Sequence, residues 1–385
     1  MIGYGKQTID KNDIRSVIDV LKSDNLTQGK FVTKFEKKLT KYFGAKYASV
    51  VSSGTAALHL VAIALKWKKD DIIITSPLTF LASATSAYFV GAKIDLVDIN
   101  PITYNLDTEL LEEKIKNLQK NGKKLKAVVA VDYAGYPCNW KKLRMLANKY
   151  KFYLINDNCH AMGARLNNSK KYASKYADIV THSYHPVKNI TTGEGGAVLT
   201  NSSTIDKKIK LLRSHNMIKN ASTAKIGPWL YHVKEIGYNY RLTDMQCSLG
   251  ISQLNKLDQF IISRQNIAKR YDKAFENDTR FILPKFDNLN VSHAYHLYPL
   301  QVNFDKLKIT KKIFFKKMQR HHINLQVHYL PLHLQPFFKK KLNYRKGDFI
   351  FSEKFYEREV SLPIFPNLKA IDQKRIIEII KKLLR

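Results

Sequence analysis

Apolar positions along the first two thirds of the chain switch between helical and strand spacing. That alternation predicts a sheet with helices on its faces. Phe31–Phe43 carries apolar residues at helical spacing and predicts a helix. Ala48–Val51 is a short apolar run, read as a strand, and Thr55–Lys66 predicts an apolar helix after it. Ile72–Thr75 is β-branched and predicts a strand, followed by a buried helix over Thr79–Phe89. Ile94–Ile99, Ala127–Asp132 and Tyr153–Ile155 predict further strands, with polar-faced helices over 107–121 and 139–150. Ala177–Ser183 and Gly196–Thr200 close the series as strands. The implied class is α/β with a largely parallel sheet.

After about residue 250 the pattern changes. Strands are expected near Tyr295–Val302 and Leu325–His328, and Ile371–Leu384 has one apolar helical face suited to packing on its own domain. A chain of 385 residues is longer than one core usually organises. The expected division is an N-terminal segment 1–12, a large domain 13–250 and a small C-terminal domain 251–385. No apolar run reaches the ~18 residues of a membrane span, and the first residues lack the apolar stretch of a secretory signal. Cys138, Cys159 and Cys247 stand at unrelated spacings, which suggests neither a disulfide framework nor a metal site. A cytoplasmic location is expected, with no membrane partner.

The charge is the unusual quantity. There are 65 Lys and Arg against 32 Asp and Glu, a formal +33. A basic surface attracts nucleic acid, which raises the reading of a DNA-binding regulator. The lysines occur in short clusters throughout, however, such as Lys339-Lys340-Lys341, with no basic tail and no nucleic-acid motif. That distribution favours solvated helix faces, and no nucleic-acid partner is expected. A positive field would still recruit an anionic nucleotide substrate.

Three constellations carry chemistry. Ser53-Gly54-Thr55 follows a strand and opens a helix, where backbone N–H groups and the helix terminus favour an anion. Asp157 follows the strand Tyr153–Ile155, and is either a helix cap or a carboxylate in the ligand crevice that holds a heteroaromatic nitrogen protonated. Lys188 lies between the strand ending at Ser183 and the turn Gly193-Glu194-Gly195-Gly196. A lysine held there over the same crevice suits a Schiff-base nucleophile better than a solvated charge. Phe80 falls between the first two elements, where a flat ring could stack on a planar cofactor.

With these motifs the chain resembles the sugar-nucleotide aminotransferases of the DegT type, fold type I of the pyridoxal-phosphate enzymes. The matching stretches are Leu26-Thr27-Gln28-Gly29, SSGTAALHL (52–60), SPLTFLASA (76–84), NDNCHAMGA (156–164), SYHPVKNITTGEGGAVLT (183–200), GYNYRLTDMQCSLGISQL (237–254) and SLPIFPNL (361–368). The resemblance implies a large domain with a mixed, mostly parallel seven-stranded sheet and a smaller α+β C-terminal domain. It implies pyridoxal 5′-phosphate on Lys188, with Asp157 on its ring nitrogen. Gly54, Thr55 and Ser183 would hold the phosphate, Phe80 would stack on the ring, and His160 would lie near the phenolic oxygen. Asn239 would reach the cofactor phosphate of a partner subunit, so a homodimer with sites at its interface is expected. The family pattern at 156–158 is acidic-Asp-small; here Asn156-Asp157-Asn158 keeps only the essential carboxylate.

The amino donor implied is L-glutamate and the acceptor a UDP-linked sugar. The stretches AYHLYPL (294–300) and QVHYLPLH (326–333) are most like members that aminate C4 of a 4-keto-6-deoxy-N-acetyl-hexosamine. On that likeness Tyr4, Asp24, Asn25, Leu26 and Thr27, together with Gln326, Val327, His328 and Tyr329, contact the nucleotide sugar. Another keto sugar, perosamine-type or 3-amino, remains a rival substrate, because the cofactor motifs do not read the sugar. Some relatives carry histidine at the lysine position and dehydrate instead; Lys188 favours transamination. No metal is expected.

Overall fold

The computed structural model describes residues 1–284 and 290–385. Helix α1 (Lys11–Leu21) starts at Asp10, whose side chain receives the N–H groups of Asn12 and Asp13 in a capping box closed by Asp13. Helix α2 (Lys30–Phe43) buries Phe35, Leu39 and Phe43 on one face and ends at Gly44, at a left-handed φ of 72°. From there the chain builds a seven-stranded sheet from β1 (Tyr47–Val51), β2 (Ile72–Thr75), β3 (Lys93–Leu96), β4 (Leu125–Val131), β5 (Tyr153–Asp157), β6 (Ile179–Ser183) and β7 (Gly196–Thr200). Helices α3 (Gly54–Ala64), α4 (Ala82–Tyr88), α5 (Thr108–Lys120) and α6 (Trp140–Tyr150) connect them.

The strand order is β1-β7-β6-β5-β4-β2-β3, and only β7 runs against its neighbours. Strands β1, β2, β4 and β7 read as mainly apolar runs because both faces are covered. Successive residues feed opposite cores: Ile72 and Ile74 join one with Val128 and Ala130, while Ile73 joins the other with Ala127 and Val129. The expected α/β class, with its mixed and mostly parallel sheet, is the observed one.

Helix α7 (Asp244–Leu254) leads into α8 (Leu257–Phe275), which serves two cores. Leu257, Phe260 and Ile261 pack with the large sheet, and Ile267, Ala268, Tyr271 and Phe275 pack in a third cluster. That cluster sits on an antiparallel sheet of β8 (Phe281–Ile282), β9 (Tyr298–Val302) and β10 (Glu359–Leu362), with α9 (Lys311–Arg320) and α10 (Ala370–Leu383) against it. Leu332, Phe338 and Phe349 return to the large sheet's second core. Among the described residues no helix is long and apolar enough to cross a membrane.

Three local expectations shift. The helix expected over 79–89 is shorter, and Phe80, Leu81 and Phe89 are exposed rather than buried. Strand β5 runs on to Asp157, so that carboxylate ends a strand instead of following it. The strand expected at 325–328 does not form. Only Gln326 bridges to Ser361, since the N–H of His328 is taken by the carboxylate of Glu359 rather than by a neighbouring strand.

Candidate active site

The C-terminal ends of β1, β2, β4, β5 and β6 open on one cavity of about 690 Å³, the usual ligand crevice of such a sheet. Its floor is built by local rules. Ser53 caps α3 by accepting from the N–H of Ala56 at 3.0 Å. Gly54 follows, and a Cβ there would lie 2.9 Å from Cβ of Ser183. At Gly196 a Cβ would lie 2.4 Å from the carbonyl oxygen of Ser53. Both glycines are therefore required for β7 to run beside the 52–54 turn, which sets Ser183 next to the α3 terminus. Thr55 is exposed to the cavity.

Asp157 ends β5 and is buried. Its Oδ2 accepts from Ser83 Oγ at 2.7 Å and its Oδ1 from the backbone N–H of Cys159 at 3.2 Å. Ser83 is in turn 2.9 Å from Thr79 Oγ1, in the segment that precedes α4. Lys188 leaves the loop between β6 and β7, with its amine 3.4 Å from His296 Nε2. Burial pulls that amine below the usual lysine range, while Cys159 and Asp157 push the other way. His296 is pushed well below the usual histidine range by burial and by Lys188, so its ring is neutral. A neutral imidazole beside a destabilised ammonium can accept its proton's hydrogen bond without adding charge.

Over this floor stands His160, whose Nε2 lies 3.0 Å from the hydroxyl of Tyr329, while its Nδ1 is buried without a partner among the described residues. The hydroxyl of Tyr133 donates to the carbonyl of His328. Phe80 is half exposed at the mouth, 6.1 Å from the ring of Tyr329.

One cavity thus collects Tyr4, Gly54, Thr55, Phe80, Asp157, His160, Ser183, Lys188, Gln326, Val327, His328 and Tyr329 from segments far apart in sequence. Asp24, Asn25, Leu26 and Thr27 do not line it; they are exposed between α1 and α2. Asn239 also lies outside this chain's cavity, exposed and bridged to Ser214. Sequence reading gave no role to Ser83, His296, Tyr133 or Ser361. For Ser83 a signal existed, because it lies within SPLTFLASA (76–84), one of the stretches that carry the family resemblance. Tyr133 follows β4, His296 precedes β9 and Ser361 lies on β10, and nothing in their spacing points to the cavity. Among the described residues no cluster of metal-ligating groups is present.

The profile of the DegT/DnrJ/EryC1/StrS aminotransferase family matches residues 7–381. A UDP-4-amino-4,6-dideoxy-N-acetyl-beta-L-altrosamine transaminase of Campylobacter jejuni is 39% identical over 374 residues, covering 97% of this chain and 95% of that protein. An uncharacterized protein of Methanocaldococcus jannaschii is 40% identical over 377 residues, covering 97% and 95%. The structure of Helicobacter pylori PseC, an aminotransferase involved in the biosynthesis of pseudoaminic acid, superposes with a TM-score of 0.90 at 32% identity, covering 100% of this chain and 99% of that one.

Proposed function

The chain belongs to the DegT/DnrJ/EryC1/StrS aminotransferase family, and from that premise we propose that it moves the amino group of L-glutamate to C4 of UDP-4-keto-6-deoxy-N-acetyl-β-L-altrosamine. It is a sugar aminotransferase that depends on pyridoxal phosphate. The residues present fit that cofactor. Gly54 admits a close backbone approach, the α3 terminus and Thr55 face the cavity, and Asp157 presents a buried carboxylate already held by two donors. His160 supplies an orphaned buried nitrogen. The observation that carries transamination is the meeting of Lys188 and Asp157 in one cavity. The sugar rests on the likeness to the Campylobacter transaminase and on the polar segment 326–329 beside Lys188.

When bound, pyridoxal phosphate supplies the electron sink and carries the amino group from donor to acceptor. Ser183, Gly54 and Thr55 would hold its phosphate, and Asp157 would keep its ring nitrogen protonated. Ser83 and the Cys159 N–H fix the carboxylate's orientation. The desolvated amine of Lys188 is the nucleophile and the proton carrier, with an acid–base range brought nearer neutrality by burial. Phe80 would cover the ring, while His160 and Tyr329 would close the side toward the sugar and exclude water.

The active unit in this reading is a homodimer. Ile226, Trp229, Tyr231, Val233 and Ile236 are exposed together on the arm that precedes Asn239, more apolar surface than a lone chain usually leaves in water. A second copy would cover the arm and receive Asn239 at its phosphate site. Glutamate added to the cofactor-loaded protein should abolish its visible absorbance band. A band that persists under saturating glutamate would refute the donor.

A further inference from the structure

Behind the cavity, on β10, Glu359 is fully buried with no cation within ion-pair distance among the described residues. Its two oxygens each receive one hydrogen bond. Oε2 accepts from the backbone N–H of His328 at 3.0 Å, and Oε1 accepts from Ser361 Oγ at 2.5 Å. Ser361 Oγ lies 2.8 Å from Nδ1 of His328. The same strand fixes the loop a second time, since the N–H of Ser361 donates to the carbonyl of Gln326 at 2.8 Å. His328 lines the cavity, and its Nε2 has no partner among the described residues and is not sealed in.

The directions of these bonds can be counted. A carboxylate has no hydrogen to give, so Ser361 must spend its single hydrogen on Oε1. Toward His328 the hydroxyl then offers only a lone pair, and Nδ1 must carry the proton. A neutral imidazole has one N–H, which leaves Nε2 as a bare acceptor. Burial keeps the ring neutral, pulling His328 down to about 3. We propose that Glu359, acting through Ser361, sets the tautomer of His328 so that Nε2 accepts a hydrogen bond from a hydroxyl or acetamido N–H of the sugar. Glu359 is a positioning residue, and the sugar half of the inference rests on the placing of 326–329 at the substrate.

The chain is reversible. A proton on Oε1 would turn Ser361 round, make it a donor to Nδ1 and move the ring's proton to Nε2. Burial raises the Glu359 carboxyl above the usual range, opposed by Ser361, by Lys311 and by the His328 N–H. Lys311 on α9 is held by the carbonyl of Tyr356 at 2.5 Å and also faces Glu357. The other groups that sense Glu359 are the phenols of Tyr104, Tyr133 and Tyr329, all pushed upward by burial and so neutral. Acidification that protonates Glu359 should therefore raise KM for the sugar.

The test is the 15N spectrum of holoenzyme labelled in histidine, with the His328 signals assigned by loss in His328→Gln. The unmodified protein in mild alkali should show Nδ1 protonated and Nε2 bare. Glu359→Gln keeps the size, but its amide donates to Ser361, so the tautomer should reverse and KM for the keto sugar should rise on the order of tenfold. The glutamate half-reaction, read from the visible band, should lose less. Ser361→Ala should leave a mixture of tautomers, and serves if Glu359→Gln does not fold. A ring that stays Nδ1-protonated in both variants overturns the relay. Reversal without a change in KM overturns the link to the sugar. If the unmodified enzyme does not turn over this keto sugar, the choice of substrate fails, and the tautomer still decides the relay.

Discussion

Ser83 shows what a single side chain contributes at the floor. Its 2.7 Å bond to Asp157 is a hydrogen bond to a buried charged group, worth roughly 1.5–3 kcal/mol. Ser83→Ala should lower kcat by about ten- to a hundredfold with the fold retained, and Asp157→Asn should cost more. Steady-state kinetics with glutamate check the order, and a Ser83→Ala enzyme at full rate would contradict it. His182 offers a stability test. Burial alone brings it down to about 3, and it packs against Phe43 at 4.5 Å between ring centres. Its folded pKa lies below the unfolded value of ~6.5, so the unfolded chain binds the proton first and stability is lost as pH falls through that window. At pH 5 the loss from this residue is about 2 kcal/mol. Denaturant titrations at pH 7 and 5 should show that loss shrink by about that amount in His182→Leu; an unchanged difference would contradict it. Lys188, Asp157 and Gly54 could be picked out because each sits at or shortly after a strand end in a distinctive local string. Ser361 and Glu359 were not, since their meaning lies in a contact with His328 some thirty positions away.

At the scale of elements, the turn from β1 into α3 is the part most constrained by shape. Gly54→Ala should push the turn away from Ser183 and weaken cofactor binding by at least about tenfold, the effect of ~1.4 kcal/mol of strain. A fluorescence or absorbance titration of the cofactor-free protein measures it, and unaltered affinity would show that the turn yields freely. Strands β1, β2, β4 and β7 were readable because burial on both faces makes each one a mainly apolar run. The segment 325–328 misled for a definable reason. Leu325 and Val327 alternate with polar residues as a strand would, yet the partners of its backbone are the Glu359 carboxylate, the Gln326 side chain, the Tyr133 hydroxyl and a single bridge. Alternation records which side chains can face a core, not where the N–H groups go.

For the whole molecule, the first two cores follow from the sheet pattern, whereas the return of Leu332, Phe338 and Phe349 to the large sheet does not. That return closes the cavity, since Leu330, Leu332 and Gln335 line it. Assembly is testable through complementation. If Asn239 serves the partner's phosphate site, Lys188→Ala and Asn239→Ala are inactive or impaired alone, and mixed dimers regain one site with both intact groups. Recovery of about a quarter to half of the activity on subunit exchange is the expectation for shared sites, and no recovery would place Asn239 elsewhere. The central claim is the reaction itself. The most direct measurement supplies UDP-N-acetylglucosamine, a C5-inverting 4,6-dehydratase, pyridoxal phosphate and glutamate, and follows the product sugar. A new 4-amino sugar that disappears in Lys188→Ala is the predicted result; a folded, cofactor-loaded enzyme that accepts glutamate but yields no amino sugar would contradict the proposed substrate.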